Sequence, residues 1–417
     1  MAAVNRRSNA LGPDFGRFLA AAAASNLGDG IRLGALPLLA LSLTDDARLI
    51  GLVTAATVAP WLLGPLGGAL VDRHDRRRLM IAGQLARAVL VAGLVAGVVT
   101  ETATIWWAIV VALGLGAGEV VVDSASQAAI PQLVERDQLD RANGRLITAI
   151  TVLDQVIGVA LGAALFSVAT SLPFAIDAAT FVVGAALLAT IRRPLQGTRT
   201  ASTTVRADIA EGMRFLLGHR LLREMMVGVS ISNLAGNVSF AVLVVLVVEE
   251  LGASEGAFGL VLGAGAIGGV AGSLVAARLT VRFGRRRMLV ALPAVLVVTH
   301  LVNATAPAAW VVSVSLFVSS FAIVCFNVPA QTIRQAVTPE SLLGRVVGSW
   351  RMVGLGAAPL GAVLGGVVTE AANVRVANVV AAGFEAIAGL VLVAALRHLG
   401  TSLTDEATDA PPAAADP

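Results

Sequence analysis

The chain has a single cysteine, four histidines and no tyrosine, and these shortages exclude several kinds of site. Cys325 lies inside an apolar segment, so neither a disulfide framework nor a cysteine-based metal site can form within the chain. The histidines are scattered, and no HExxH motif, phosphate-binding loop or CxxC pair is present. We therefore expect no catalytic centre, no cofactor and no metal. Without a phosphate-binding loop ATP cannot drive the protein directly, which leaves an ion gradient as the energy source.

Charged residues are also scarce. They make up 14% of the 417 residues, against 57% hydrophobic residues, and the mean hydropathy is +0.83. No ordinary globular domain is this apolar, so the composition indicates a polytopic helical membrane protein. The sequence pI of about 10.5 would suggest nucleic-acid binding in a soluble protein. Here the basic residues fall between apolar segments, where they set membrane orientation, and we expect no nucleic-acid partner.

Apolar segments follow one another along the chain. Twelve of them approach or exceed the roughly 20 residues that an α-helix needs to cross a bilayer. The first is too long for the apolar part of a cleavable signal peptide, so we expect it to stay as the first span. The predicted spans cover, approximately, residues 15–43, 50–71, 79–99, 104–130, 147–169, 172–191, 224–248, 258–276, 288–304, 308–331, 346–369 and 374–396.

Arginines are distributed unevenly between these segments. Alternate connections are rich in arginine, with four between residues 73 and 78 and seven between 192 and 223, whereas the others hold only Arg48 and Arg375. Because cytoplasmic loops carry the excess of basic residues, both termini are predicted to lie in the cytoplasm. All 30 basic residues are arginines, which is typical of a GC-rich bacterial genome. We therefore expect a multi-pass protein of the bacterial inner (plasma) membrane.

One connection is repeated half a chain later. Residues 68–80 read GALVDRHDRRRLM and residues 277–287 read ARLTVRFGRRR, and each stretch lies between two apolar segments. Duplication over half the chain is typical of transporters built from two related bundles.

The repeated loop resembles the signature of the major facilitator superfamily, G-x-L-x-D-R-x-G-R-R, which lies between the second and third helices of that family. Asp75 stands where the family usually has glycine. The second copy keeps Gly284 but has Val281 at the aspartate position. The residues of the first copy that match are Gly68, Leu70, Asp72, Arg73, Arg76 and Arg77.

Four further stretches are similar to the drug:proton antiporter-3 branch, which includes macrolide-efflux and enterobactin-exporter-like proteins. They read GDGIRLGALPLLALSLT, PQLVERDQLDRANG, DIAEGMRFLLGHRLLR and PLGAVLGG, and the resemblance covers about residues 15 to 400. It implies an all-α fold of twelve transmembrane helices in two six-helix bundles around a central cavity. It also implies multidrug efflux, in which amphipathic small molecules (drugs or antibiotics) leave by alternating access against inward proton flow.

The spans and the repeat divide the chain into five parts. We expect a cytoplasmic N-terminus (1–14), an N-terminal bundle (15–191), a cytoplasmic linker (192–223), a C-terminal bundle (224–397) and a disordered cytoplasmic tail (398–417). Apolar residues at helical spacing within residues 205–222 predict an amphipathic helix on the inner leaflet, with a plain tether as the alternative.

Charged residues inside the predicted spans are costly and are therefore candidates for proton coupling or substrate contact. Asp29 and Arg32 lie three residues apart on one face of the first span, and Asp29 is near the midplane. A carboxylate there can alternate between protonated and ionised forms; the alternative is a permanent internal pair. Glu119 lies near the middle of the fourth span, one turn from Asp123. Asp154, in the fifth span, either forms a structural pair or takes part in transport.

Polar residues in other spans are further candidates. Asn233 and Asn237, four residues apart, can offer hydrogen bonds to a ligand in the cavity or hold two helices together. Asp177 is expected at an interface or gate. Arg87 is expected to extend towards the cytoplasm, and Glu385 has no obvious partner in the sequence.

The resemblance gives the signature loop a further role. In the superfamily an arginine of this loop pairs with an acid at the cytoplasmic end of the fourth helix, and Arg76 and Asp123 match those positions. Asp72 would face the start of the eleventh span, where a helix N-terminus favours an anion. The alternative is that the arginines only set topology. The predicted cytoplasmic gate comprises Gly68, Asp72, Arg73, Arg76, Arg77 and Asp123.

Three alternative functions stay open at this point. The chain can be a dedicated exporter of a siderophore or a self-made natural product, an importer, or a membrane receptor or scaffold that does not transport. Titratable groups near the midplane argue against the last, because a scaffold gains nothing from them. The expected partners are a small amphipathic substrate and the lipid bilayer, and the expected state is a monomer.

Overall fold

The structure of the protein, a computed structural model, describes residues 11–135, 138–196, 205–339 and 342–397. Within these ranges the chain is almost entirely helical and has no β-strand, which confirms the predicted all-α class. A 3₁₀ segment, Ala59–Leu63, joins the second helix to the third, and two π-helical segments, Thr151–Gly158 and Val245–Glu250, interrupt the later ones. The helices are α1 (Pro13–Leu43), α2 (Ala47–Val58), α3 (Gly64–Arg73), α4 (Arg76–Val99), α5 (Ile105–Leu133), α6 (Leu139–Ile150), α7 (Val159–Val168), α8 (Leu172–Ala189), α9 (Val205–Gly218), α10 (Arg220–Ala241), α11 (Glu255–Phe283), α12 (Arg285–Thr305), α13 (Ala309–Val337), α14 (Leu343–Ala371) and α15 (Val374–Arg397).

Nine helices in the described ranges are long and apolar enough to cross a membrane. They coincide with nine of the predicted spans. The remaining three predicted spans correspond to α1, to α2 with α3, and to α10 with the π-helical segment after it. The second of these is interrupted by the 3₁₀ segment, where Pro60 lacks the N–H that a continuous helix requires. A multi-pass membrane protein is confirmed, whereas the count of twelve stays a prediction.

The chain divides into two compact units. Unit 1 comprises Met1–Ala35, Leu66–Ala103 and Ala117–Ser202, and unit 2 comprises Leu36–Pro65, Thr104–Gly116 and Thr203–Pro417. One boundary therefore lies within α1, two residues before Pro37, and another lies within α5. The bundle limits predicted from the sequence stay a prediction.

In unit 1, α1 packs closely against the first π-helical segment and α7. A Cβ atom at Gly30 would overlap the main-chain carbonyl of Asp154, and one at Gly162 would overlap that of Ile31. Small residues allow such close approach, which is a main source of helix association in lipid. The contact fixes the part of α1 that carries Asp29.

In unit 2, α14 uses small residues on two sides. A Cβ atom at Gly361 or Gly365 would overlap main-chain carbonyls of α10, and one at Gly366 would lie 2.5 Å from the carbonyl oxygen of Ala47 in α2. The PLGAVLGG stretch therefore packs α14 against two neighbouring helices.

The two copies of the repeated loop begin their following helices differently. Asp75 caps α4, because its carboxylate accepts a hydrogen bond from the main-chain N–H of Arg78 at 2.8 Å. Gly284 precedes α12 with a φ of 82°, a conformation that favours glycine. The first copy therefore replaces the usual glycine by an aspartate that begins the next helix.

The predicted amphipathic helix corresponds to α9. Leu216 is buried in a cluster with Val346 of α14, and the Arg345 guanidinium lies 2.7 Å from the carboxylate of Glu211. Part of the apolar face of α9 is therefore covered by protein, whereas Leu217 is exposed.

Three predicted regions lie partly or wholly outside the described residues: 1–10 of the N-terminus, 197–204 of the linker, and the tail 398–417.

Replacing Gly162 by alanine should destabilise the protein. The added methyl group would overlap the Ile31 carbonyl, and overpacking of a close contact costs about 1–3 kcal/mol. We expect a lower midpoint of thermal unfolding for the purified protein. Gly16→Ala, in α1, is the control, because nothing lies within 4 Å of its Cβ position. Alanine there should leave the midpoint unchanged or raise it, and equal midpoints for the two variants would contradict the close packing.

Candidate functional site

Charged side chains from four helices of unit 1 meet inside that unit. Asp29 is at the centre, because its Oδ1 accepts a hydrogen bond from Nη2 of Arg32 at 2.7 Å and another from Nη2 of Arg87. Asp29 and Arg32, predicted as neighbours on one helix face, thus bond each other within a larger network. We call this group the acid–arginine cluster; it comprises Asp29, Arg32, Arg87, Glu119 and Asp177.

Arg87 is a buried member of the cluster, which corrects the expectation that it extends towards the cytoplasm. The residue is only 1% exposed, and its guanidinium carbon lies 4.1 Å from the centre of the Phe181 ring. Its aliphatic part lies against Gly118, where a Cβ atom would come within 2.8 Å of Arg87 Cγ. The Arg87 side chain therefore points into unit 1, where it contacts the Asp29 carboxylate, the face of the Phe181 ring and the space beside Gly118.

Arg32 connects Asp29 to two further carboxylates. Its Nε lies 3.5 Å from Oδ2 of Asp177, and its Nη2 lies 3.8 Å from Oε2 of Glu119. The side chain of Asp177 is fully buried, and its oxygens have no hydrogen-bond partner among the described residues. Glu119 is the most open member, with a side chain 29% exposed. Asp177, expected at an interface or gate, thus belongs to the interior network.

Asp154 and Asp123 lie beside the cluster. Asp154 is in the first π-helical segment, a distortion that is frequent at functional sites. Its main chain lies against Gly30 of α1, and Asp123 lies one helical turn from Glu119 on α5. Carboxyl groups therefore outnumber guanidinium groups in this part of unit 1.

Two arginines of the predicted gate bond main-chain carbonyls of unit 1. Nη1 of Arg76 donates to the oxygen of Ala128 at 2.8 Å and to that of Leu195 at 3.1 Å. Arg77 donates to the main-chain oxygen of Ala189. These bonds attach the start of α4 to α5, to the last residue of α8 and to the segment that follows α8.

The other predicted gate residues lie in α3 and α5. Gly68 and Asp72 are in α3, where the structure describes their main chain. Arg73 ends α3 with an exposed side chain, and Asp123 is half-buried in α5. The predicted pairing of Asp123 with Arg76 stays a prediction.

Unit 2 contains a cavity of about 680 Å³, a size typical of small-molecule sites. Asn233 and Asn237 both line it. Asn233 also donates through Nδ2 to the main-chain oxygen of Gly354 in α14 at 2.8 Å. The two interpretations of Asn233, ligand contact and helix attachment, are therefore compatible. Glu385 lines the same cavity and accepts hydrogen bonds from the hydroxyl of Ser232.

Sequence reasoning missed the partners of buried charged side chains. Arg87 and Glu385 lie inside apolar segments, where a charged side chain is costly. That cost indicated that each side chain needs a partner, without identifying the partner. Their partners, Asp29 and Ser232, lie on other helices far along the chain. No local spacing could have identified them.

Removing the Arg87 guanidinium should destabilise the protein strongly. Arg87→Met keeps an unbranched side chain but takes one partner from the Asp29 carboxylate, and breaking a buried ion pair costs about 3–5 kcal/mol. We expect a lower midpoint of thermal unfolding, partly restored in the double variant Arg87→Met/Asp29→Asn.

Arg48→Met is the control for this measurement. It breaks an ion pair with Asp46 in which the arginine side chain is 57% exposed, and such a pair contributes about 0–1 kcal/mol. Equal destabilisation by the two arginine variants would contradict the buried pairing of Arg87.

Comparison with known proteins identifies a matching family and two relatives that are similar in sequence. A family model described as "Transmembrane secretion effector" matches residues 13–414. The multidrug efflux pump Tap of Mycobacterium tuberculosis is 28% identical over 382 residues, which are 88% of this chain and 90% of Tap. Macrolide efflux protein A of Streptococcus pyogenes is 28% identical over 179 residues, 42% of this chain and 44% of that protein.

Solved transporter structures share the fold. A variant of the nucleoside transporter NupG superposes with a TM-score of 0.76 at 13% identity, covering 91% of this chain and 99% of that one. A bacterial homologue of the iron transporter ferroportin, in an inward-facing state, gives a TM-score of 0.75 at 16% identity, covering 92% and 98%. At such identities the likeness concerns the fold alone. Because the family match extends over nearly the whole sequence, the chain belongs to the transmembrane secretion effector family of the major facilitator superfamily.

Proposed function

We propose that this protein is a secondary active transporter that exports amphipathic small molecules, drugs and antibiotics among them, by proton antiport through alternating access. The observation that carries the proposal is the acid–arginine cluster buried in a chain of this family. The names of two relatives, a multidrug efflux pump and a macrolide efflux protein, support drugs as substrates. A proton gradient would supply the energy, without a cofactor.

The cluster suits proton exchange because its carboxyl groups outnumber its cations. The two arginines can balance two negative charges, whereas Asp29, Glu119 and Asp177 are three acids and Asp154 lies beside them. A buried carboxylate without a cation is costly, and protonation removes that cost. We assign proton exchange to Glu119, the most open acid, and coupling of the network to Asp29.

The membrane placement follows from the arginine distribution. We place the protein in the bacterial inner (plasma) membrane with both termini in the cytoplasm. We further propose twelve spans, six in residues 15–191 and six in residues 224–397. The proposed partners are a small amphipathic substrate and the bilayer, with no nucleic acid, and the proposed state is a monomer.

A dedicated exporter of a siderophore or a self-made natural product would use the same mechanism. Genes adjacent to the coding sequence distinguish the two, because biosynthetic genes beside it would favour the dedicated exporter. Import is less favoured, because both named relatives are efflux proteins.

Proton antiport can be measured in energised inverted membrane vesicles. Adding dyes and antibiotics one at a time should partly collapse the pH gradient when a compound is transported. Glu119→Gln and Asp29→Asn should abolish this response, because an amide does not exchange a proton in place of the carboxyl. Glu101→Gln is the matched control, since Glu101 is exposed in the connection between α4 and α5, and it should respond like the wild type.

Two outcomes would contradict this account. A full response in Glu119→Gln would show that Glu119 is not the exchanging acid. Substrate accumulation in wild-type vesicles that persists after the pH gradient has been removed would show that protons do not drive transport.

The predicted pairing at the cytoplasmic gate has its own test. Arg76→Ala and Asp123→Asn should each lower transport while leaving expression intact, because each removes one side of the predicted ion pair. The charge-swapped double variant should recover transport if the two side chains pair. A double variant that transports no better than either single variant would show that the pairing is wrong.

A further inference from the structure

The two copies of the repeated loop differ in charge. The first copy, residues 68–80, has four arginines and two aspartates, whereas the second, residues 277–287, has five arginines and no acid. Val281 and Gly284 stand where the first copy has its two aspartates. We call the five basic residues of the second copy the second-loop arginines; they are Arg278, Arg282, Arg285, Arg286 and Arg287. No acid within this loop balances their charge.

The surrounding protein does not balance that charge either. In the first copy, Arg76 and Arg77 bond main-chain carbonyls of unit 1. None of the second-loop arginines forms an ion pair or donates a side-chain hydrogen bond to a residue that the structure describes. Four of them are exposed, and Arg285 is half-buried. These guanidinium groups are therefore open to an anion from outside the chain.

The turn between α11 and α12 brings the second-loop arginines together. Arg278 and Arg282 lie one turn apart near the end of α11, and Arg285 is the first residue of α12. Gly284, with a φ of 82°, joins the two helices directly. No side chain caps the start of α12, and the macrodipole disfavours cations at a helix N-terminus. Helix stability therefore does not explain this placement, and an adjacent anion would offset the repulsion.

The face of α11 that leads to these arginines is apolar and exposed. Leu260, Ile267 and Leu274 follow one another at intervals of seven residues, with exposures of 72%, 56% and 73%. Their stretch is about 21 Å long, which exceeds one leaflet's half of the roughly 30 Å hydrocarbon core. Arg278 lies one turn beyond Leu274 on the same face. One molecule with acyl chains and an anionic headgroup can therefore contact both parts of this surface.

We infer that the second-loop arginines bind the headgroup of an anionic phospholipid whose acyl chains lie along the exposed face of α11. The guanidinium group is planar, and its N–H donors fit the oxygens of a phosphate. Clusters of basic residues beside a membrane-spanning helix attract anionic lipids. The apolar face favours a lipid over a free phosphate, which needs no apolar surface. The alternative is that these arginines only set membrane orientation, in which case the folded protein would not select a lipid.

Two phospholipids with identical acyl chains test this selection. Dioleoyl phosphatidylglycerol is anionic, and dioleoyl phosphatidylcholine is zwitterionic. Each is titrated into the purified, delipidated full chain in detergent, and bound lipids are counted by native mass spectrometry. The wild type should bind its first phosphatidylglycerol about tenfold more tightly than its first phosphatidylcholine, because each basic residue at a membrane surface contributes about a fivefold preference.

Variants assign the preference to the loop. Arg278→Gln/Arg282→Gln should weaken the binding of phosphatidylglycerol about tenfold and leave that of phosphatidylcholine unchanged. Arg278→Lys/Arg282→Lys should keep the preference, since lysine also binds phosphate. Arg48→Gln/Arg220→Gln is the matched control. It removes the same charge from exposed arginines that each form an ion pair with a neighbouring acid, and it should bind both lipids like the wild type.

A competitor distinguishes a lipid site from a simple phosphate site. Glycerol phosphate has the phosphate chemistry of the headgroup but no acyl chains. At the concentration of the bound lipid it should not displace phosphatidylglycerol from the wild type. Displacement at that concentration would show that the loop binds a free phosphate and would overturn the assignment to a lipid.

Three further results would overturn the inference. They are equal wild-type binding of the two phospholipids, an undiminished preference in Arg278→Gln/Arg282→Gln, and an equal loss in the control variant. The first needs no variant and would leave these arginines with orientation alone. Because lipid binding is measured without substrate or gradient, none of these results bears on the proposed export.

Discussion

The hydrogen bonds that Asp29 accepts from Arg32 and Arg87 are the interaction on which the rest of unit 1 depends. Charge inside a membrane-spanning region is costly unless it is paired, and pairing requires the helices to approach closely. Glycines provide that approach: a Cβ atom at Gly28 would lie 2.5 Å from Oδ1 of Asp177, and Gly118 leaves space for the Arg87 side chain. The small residues and the buried charges are therefore parts of one arrangement.

Polar chemistry differs between the two units. Unit 1 gathers several acids around two arginines, whereas the polar lining of the cavity in unit 2 consists of amides, hydroxyls, one histidine, two arginines and one acid, Glu385. An acid that exchanges protons has to be reached by water at some stage, which fits the partial exposure of Glu119. A site that holds an amphipathic molecule needs apolar walls and few polar groups. If protons and substrate bind at separate sites, antiport requires a coupling free energy between those sites.

The sequence predicted those features that are determined within a single helix. The pairing of Asp29 with Arg32 follows from a three-residue spacing, and the all-α class follows from apolar length. Contacts between helices were not accessible in this way. Arg87 was expected to extend towards the cytoplasm because a long charged side chain on a single membrane helix reaches water in that way. Phe181 on α8 and Asp29 on α1 instead hold it inside unit 1.

A break within an apolar stretch was missed for a different reason, because the second span was predicted from apolar length although Pro60 is visible in the sequence. The second predicted span is a continuous apolar stretch in the sequence, yet a 3₁₀ segment around Pro60 interrupts it. Apolar length records the affinity of a segment for lipid and carries no information on whether its hydrogen bonds are continuous. Asp75 shows the reverse case, since a departure from the usual signature glycine follows a local rule, the preference for aspartate at a helix N-cap.

The central claim is that the acid–arginine cluster holds the protons that are exchanged for substrate. Proton release by the purified protein tests it most directly, because neither a membrane nor a gradient is needed. In weakly buffered detergent solution with a pH indicator, adding a transported dye should release protons from the wild type and markedly fewer from Asp29→Asn/Glu119→Gln. Release that is undiminished in this double variant, while the dye still binds, would contradict the claim.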